Sequence, residues 1–387
     1  MLSRRQFVLA ATWAAALPPR VAFAHARSDA RFIFIIQRGA ADGLNTVVPH
    51  GDAAYAGLRR ELAIDAASAA RLDGMFALHP ALVESARMYA TGEALFVQAI
   101  ASPYRERSHF DGQNVLETGG AAPYQSKQGW MNRLAALIAQ EQGVAKGADA
   151  AIAFAPTVPM ALRGPFSVAS YAPSALPQAP DDLLTRVSAM YAQDAQLQPL
   201  WRAALEARGL ASDVNARQDP ASIGKMAASF LARADGPRIA MIETAGWDTH
   251  TAQNGRLAAQ LKSLDQMVAA LRENMGAAWA RATVLVATEF GRTAAANGTG
   301  GTDHGTASAA MLFGGRVKGG RVLADWPGLG AGALLDGRDL KPTASLDALI
   351  ASAVGETFGL EPARVYRSLF PLLPAQPAAS WTALLRA

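Results

Sequence analysis

Five consecutive β-branched or aromatic residues, Phe32-Ile33-Phe34-Ile35-Ile36, stop abruptly at Gln37-Arg38-Gly39. A run with no polar face cannot lie half in water, so it predicts a central parallel strand covered on both sides. Similar short apolar runs occur at 94–100, 151–155, 238–242, 283–287 and around 310–313. Between them the period changes. Leu257, Leu261, Leu264, Val268 and Leu271 recur at three- and four-residue steps, which predicts a helix over 255–275 with a single apolar stripe. The runs at 238–242 and 283–287 with that helix between them make a βαβ unit. The expected fold class is therefore α/β, with a mostly parallel sheet sandwiched by helices. From about 158 to 232 the helical patterns at 181–192, 199–208 and 223–232 predict a mainly helical insertion or flanking region, within a single domain spanning 27–387. A further helix is expected from His79-Pro80-Ala81 to about Ala90, and Val317–Val322 reads as a hairpin turn.

The first 26 residues belong to a different kind of segment. Ser3-Arg4-Arg5-Gln6-Phe7-Val8-Leu9 is followed by an apolar stretch to Leu17, the helix-breaking pair Pro18-Pro19, and the small-residue site Ala22-Phe23-Ala24. That order resembles a twin-arginine export signal, with cleavage expected after Ala24 or after Ala26. The partner implied is the twin-arginine translocase, and the mature chain is expected in the periplasm or outside the cell. Losing Arg4, Arg5 and Arg20 takes the formal charge from +4 to +1, so the positive balance is no nucleic-acid footprint. No long Lys/Arg cluster with interleaved aromatics is present either. No apolar run in the mature part reaches about 18 residues, so no membrane span is expected. With no cysteine, thiolate metal sites and a Cys nucleophile are excluded.

Polar residues gather directly after the expected strands, where parallel α/β sheets place their ligand sites. Asp42 and Asn45 follow the first run, and Arg107, Ser108, His109, Asp111 and Gln113 follow the second. Asp248, Thr249 and His250 come after 238–242; Glu289 and Arg292 come after 283–287; a glycine-rich loop then delivers Asp303 and His304. The sequence has six histidines, and His109, His250 and His304 all lie in such loops beside aspartates. An oxygen- and nitrogen-rich set suits Zn²⁺ or Mn²⁺, although Asp beside His also serves simply to orient an imidazole. Arg107 and Arg292 can clamp an oxyanion or pair with nearby carboxylates. Gly298–Gly305 can cradle a phosphate or form a tight connection. Trp130 and Trp247 can wall a site, stack on a sugar ring or fill the core, whereas His79 before Pro80 suits helix capping or packing.

The blocks Gln37–Asn45, Arg107-Ser108-His109-Phe110-Asp111, Gly246-Trp247-Asp248-Thr249-His250, Glu289-Phe290-Gly291-Arg292-Thr293 and Gly301-Thr302-Asp303-His304-Gly305 together resemble the signature of domain-of-unknown-function family 1501. The likeness covers nearly all of the mature chain. That family is placed by remote similarity in the alkaline phosphatase and sulfatase superfamily, which implies an alkaline phosphatase-like α/β core and one or two divalent metal ions. The same resemblance makes Asp42 the nearest substitute for the Asp that follows the superfamily's first strand. It sets Glu289-Phe290 where an Asp-His ligand pair is expected, Asp248 with His250 as separated ligands, and His304 as the late ligand. Ser108 and Thr46 are the available nucleophiles.

The function implied is an exported metal-dependent hydrolase of phosphate or sulfate esters, with a small anionic ester or a carbohydrate-linked group of the envelope or the extracellular space as substrate. In that reading Asp42, Asp248, His250, Glu289, Asp303 and His304 hold metal. Ser108 attacks, Arg107 and Arg292 bind anionic oxygens, and His109 protonates the leaving group. The alternative is a non-catalytic periplasmic binding or assembly protein built on a degenerate core of the same kind. The export reading is directly testable. Replacing Arg4 and Arg5 with lysine is expected to leave precursor in the cytoplasm, assayed by cell fractionation; unimpaired export of that variant would remove the twin-arginine route.

Overall fold

The computed structural model describes residues 29–142, 150–172, 181–194, 196–211, 219–374, 381 and 383–386. The expected export signal lies outside them. Among the described residues the main sheet has nine strands: β1 Arg31–Gln37, β2 Ala94–Ala101, β3 Ala151–Phe154, β4 Ala169–Ser170, β5 Ile239–Thr244, β6 Ala282–Thr288, β7 Ser308–Phe313, β8 Arg321–Leu323 and β9 Ala344–Ser345. They are ordered β8-β2-β7-β6-β1-β5-β3-β4, and β9 also pairs with β2. Every pairing is parallel except those of β7, which runs antiparallel to both β2 and β6. The six apolar runs each became a strand, with ends within about two residues of expectation.

The alternation of β1 explains its lack of a polar face. Phe32, Phe34 and Ile36 enter one core, beneath the helices Trp130–Gln142, Leu346–Phe358 and Pro362–Leu369. Ile33 and Ile35 enter the opposite core, beneath Val83–Ala90, Pro220–Leu231 and the long helix Gln253–Met275. The protein is thus a mixed α/β fold whose mostly parallel sheet is sandwiched by helices. Helix Pro220–Leu231 packs closely on the long helix, since a Cβ at Gly224 would come within 2.2 Å of the Met267 carbonyl oxygen. Among the described residues no helix is long and apolar enough to cross a membrane.

The segment 317–322 does not form the expected hairpin. Strand β8 pairs parallel with β2, on the far side of β2 from β7, and Val317 instead bridges to Leu385 near the end of the chain. The glycines Gly319 and Gly320 turn the chain, but the partner they bring is non-local. The helix expected from His79-Pro80-Ala81 starts at Val83, and its N-cap residue makes no side-chain capping bond; His79 is buried in the turn before it, its Nδ1 accepting the Ala81 amide at 3.0 Å, and burial pushes its pKa down to about 4.

In the long helix Leu257, Leu261, Leu264, Val268 and Leu271 are all buried. Truncating Leu261 leaves a cavity that the sheet cannot collapse to fill. Leu261→Ala is expected to cost about 2–5 kcal/mol in chemical unfolding. A loss under about 0.5 kcal/mol, the range of surface changes, would contradict this packing.

Candidate metal centre

Because β7 opposes both β2 and β6, the carboxyl ends of β1, β2, β5 and β6 and the amino end of β7 lie on one edge of the sheet. Four loops meet there, and glycines permit the meeting. Gly39 has φ +118, and a Cβ on it would sit 2.7 Å from the Asp248 amide nitrogen; at Gly301 a Cβ would reach the His250 carbonyl oxygen at 2.2 Å. An isolated antiparallel bridge joins Arg292 to His304.

At this edge His109, Asp248 and His304 each bring one ligand atom within 4.8 Å of the others, so a three-residue site able to coordinate a metal ion exists. The individual distances run from His109 Nε2 to Asp248 Oδ2 at 3.5 Å and from His304 Nε2 to Asp248 Oδ1 at 3.4 Å. His250 joins them, its Nε2 lying 3.0 Å from Asp248 Oδ1 and 2.9 Å from His304 Nε2. The other nitrogen of each ring is occupied. His109 Nδ1 meets Glu289 Oε1 at 2.9 Å, His304 Nδ1 meets the Arg107 carbonyl oxygen at 2.9 Å, and His250 Nδ1 meets Asp303 Oδ1 at 3.3 Å. Carboxylate and carbonyl oxygens only accept, so each Nδ1 carries a proton, and in the neutral ring Nε2 is the atom left to bind a metal. Acceptors behind imidazoles in this way orient metal-ligating histidines.

That arrangement needs a proton or a cation between the rings. Two neutral Nδ1–H imidazoles with their Nε2 atoms 2.9 Å apart cannot bond to each other. His109 Nε2 is buried with no hydrogen-bond partner. Asp248, Glu289 and Asp303 supply three carboxylates, while Arg292 is the guanidinium in contact with Asp248. The pKa directions follow from these contacts. The Glu289 hydrogen bond raises His109 despite partial burial, whereas burial, with the neighbouring His109 charge, lowers His304. Burial of Glu289 opposes its ionisation, but hydrogen bonds from His109, Gln113 and the Gly39 amide hold it below the usual carboxylate range. Burial likewise works against Asp248, and the Arg292 hydrogen bond and charge outweigh it. Asp303 is lowered by hydrogen bonds from Asn297 and His250. The donor set therefore fits a divalent ion.

The remaining candidate residues fall elsewhere or take other positions. Asp42 is fully buried and spoken for: it ion-pairs with Arg59, accepts from Gln253 Nε2 at 2.6 Å, and caps the short turn Gly43–Thr46. It does not reach the cluster, because Arg59 supplies its counter-charge. Glu289 and Asp303 stand behind imidazoles. Arg292 has no side to offer an anion, since its nitrogens donate to Ala40 O at 2.7 Å, Gly39 O at 2.9 Å, Thr302 O at 3.1 Å and Trp247 O at 3.2 Å as well as to Asp248. Arg107 uses Nε and Nη2 on Asp339, at 3.1 and 2.8 Å, and stays partly exposed. Ser108 precedes the helix His109–Thr118 without a side-chain capping bond. Thr46 donates to the Asp42 carbonyl at 2.7 Å.

Sequence reasoning assigned no such role to three contributors. Phe290, in the slot of an expected ligand, stacks on His109 with ring centroids 5.1 Å apart. Gln113 donates to Glu289 at 3.1 Å and accepts from Arg38 at 2.8 Å. The Arg107 carbonyl, held by a left-handed backbone at φ +65, positions His304. A backbone acceptor leaves no mark in a sequence; Gln113, one helical turn after His109 and on the same face, was the one available signal.

A family described as "Protein of unknown function (DUF1501)" matches residues 29–370. No curated protein matches the sequence. Among solved structures, the C-terminal periplasmic domain of EcEptC from Escherichia coli, in complex with Zn, aligns at 11% identity over 77% of each chain, with a TM-score of 0.40. The phosphonate monoester hydrolase of Agrobacterium radiobacter aligns at 10% identity, covering 76% of this chain and 70% of that one, with a TM-score of 0.32.

The opposite shifts of two neighbouring imidazoles can be read by NMR. In metal-free protein His109 is expected to titrate above free imidazole and His304 below it. Glu289→Gln removes the carboxylate and is expected to lower the His109 pKa and weaken metal binding by about 10–100-fold. Identical His109 titration in wild type and variant would show that Glu289 does not hold this ring.

Proposed function

The chain belongs to the DUF1501 family, and on that premise we propose that it is an exported metal-dependent hydrolase of phosphate or sulfate esters, acting on an envelope or extracellular carbohydrate. The observation that carries this reading is the convergence of three Nε2 atoms on one carboxylate, each ring locked from behind by an acceptor. His109, Asp248 and His304 would hold the ion, with His250 completing the set. Nitrogen donors beside one carboxylate favour Zn²⁺, and then Mn²⁺, over an oxygen-preferring ion such as Ca²⁺. A metal here supplies Lewis acidity toward an ester oxygen and lowers the pKa of a coordinated hydroxyl or water.

The protein's own groups then have separable tasks. Ser108 lies in the chain between Arg107, whose carbonyl holds His304, and His109, which makes it the nucleophile of choice. Arg107 keeps Nη1 free of Asp339 and can meet an anionic oxygen of the substrate. His109 serves as ligand rather than as proton donor, because Glu289 occupies its other nitrogen. Arg292 and Asp42 hold loops in place. Export through the twin-arginine translocase would deliver the protein folded to the periplasm or beyond.

One contact favours a second reading. The Arg292–Asp248 ion pair already gives the carboxylate a counter-charge, as a metal-free binding or assembly module would need. Elemental analysis separates the two. Protein folded with Zn²⁺ and Mn²⁺ available is expected to hold stoichiometric metal, lost in Asp248→Ala and His304→Ala together with hydrolysis of an aryl phosphate or aryl sulfate. Because a metal must displace protons from imidazole, retention is expected to fall as pH drops through the histidine pKa values. Wild-type protein with no metal and no turnover would favour the binding module.

A further inference from the structure

Behind His304 lies a carboxylate from outside every sequence block that marked the site. Asp339 sits between β8 and β9 and is fully buried. A tight turn delivers it. Leu335 and Asp339 exchange both backbone hydrogen bonds, at 2.9 and 3.0 Å. Between them Asp336 and Gly337 take φ values of +53 and +64, the pair of positive angles that a type I′ turn requires. The Asp339 side chain accepts four hydrogen bonds. Oδ2 takes Arg107 Nε at 3.1 Å, Arg107 Nη2 at 2.8 Å and Thr306 Oγ1 at 2.8 Å, while Oδ1 takes Arg338 Nη1 at 3.0 Å.

Two of these donors also hold His304, and the third is two residues from it. The Arg107 carbonyl oxygen meets the ring at Nδ1, 2.9 Å away. Arg338 Nη2 donates to the His304 carbonyl oxygen at 2.8 Å. Thr306 secures the following segment, its own carbonyl accepting the Gly291 amide at 2.9 Å. The Arg107 link depends most on outside support. Its backbone at φ +65 is uncommon for a residue with a side chain, and two charge-assisted bonds to a buried carboxylate can hold it there. Without them the backbone is free to relax and carry its carbonyl away from the ring.

We propose that Asp339 is a positioning residue of the metal centre: through Arg107 and Arg338 it fixes the ring and the backbone of His304, which keeps Nε2 for the ion. This rests on the metal-binding part of the proposed function and not on the ester. An ion pair with a purely structural role would steady the whole edge of the sheet, whereas these bonds converge on one imidazole of three. His109 and His250 lean on other acceptors, Glu289 and Asp303, and so serve as internal references.

Asp339→Asn keeps the shape of the side chain and removes its charge. Nitrogen-15 NMR of metal-free protein at alkaline pH, where imidazole is neutral, reports which ring nitrogen carries the proton. His304 is expected to hold Nδ1–H in the wild type and to become a mixture of both tautomers in the variant, while His109 and His250 keep their wild-type signals. Zinc affinity, measured by competition with a chromophoric chelator, is expected to fall about tenfold, within the range for a lost partner behind a metal-ligating histidine. Arg338→Gln alters a half-exposed residue, so it tests the same link even if losing the buried charge unfolds the protein. It is expected to shift His304 selectively and to weaken zinc binding by less. Unchanged His304 signals and zinc affinity in the folded variants would overturn the proposal, as would equal shifts in all three histidines, the mark of general loosening. Failure of the metal reading looks different: wild-type protein would take up no zinc, while Asp339→Asn would still shift His304 alone.

Discussion

The guanidinium of Arg292 is the tie on which the site depends. It is fully buried, and it donates to backbone carbonyls of Gly39, Ala40, Trp247 and Thr302 as well as to Asp248. Those acceptors come from the loop after β1, the loop after β5 and the segment leading into β7. A rigid planar fork with five donors can satisfy such a set, where a lysine ammonium could not. Burying a charge is costly unless it is paired and hydrogen-bonded, so the contacts that satisfy Arg292 also fix three loops at one edge of the sheet. Asp248 is held at the centre of the cluster as part of the same arrangement.

With the loops fixed, the imidazoles meet at short range in a way that side-chain packing alone would not favour. Every Nδ1 is turned toward an acceptor, so the Nε2 atoms share a space that only a proton or a cation can make favourable. Glu289 is the clearest case. It is buried, stays ionised through donors from His109, Gln113 and Gly39, and lies behind a ring whose other nitrogen makes no hydrogen bond. Phe290 beneath His109 keeps that ring from turning.

Much of the scaffold was legible because its signals are local. A continuous apolar run such as Phe32–Ile36 has few options other than a doubly covered strand, and the stripe from Leu257 to Leu271 has few other than a helix on a sheet. The strand-loop rule also located the right loops. What escaped was which atom of each loop residue does what. Glu289 and His109 are 180 positions apart, and no pattern states that one stands behind the other. Asp42 read as a ligand because its partner, Arg59, lies in a short turn of helix with no evident link to it. The hairpin expected at 317–322 failed for the same reason, as its strand pairs with residues over two hundred positions earlier.

The central claim is that three histidines and Asp248 surround one ion with their Nε2 and carboxylate atoms. X-ray absorption at the zinc edge measures this directly on the loaded protein. A first shell dominated by imidazole nitrogen with one or two oxygens, at about 2.0–2.1 Å, and loss of imidazole scattering in His250→Ala or His304→Ala, is the expected result. A shell of oxygen alone, unchanged in those variants, would place the ion elsewhere and contradict the account.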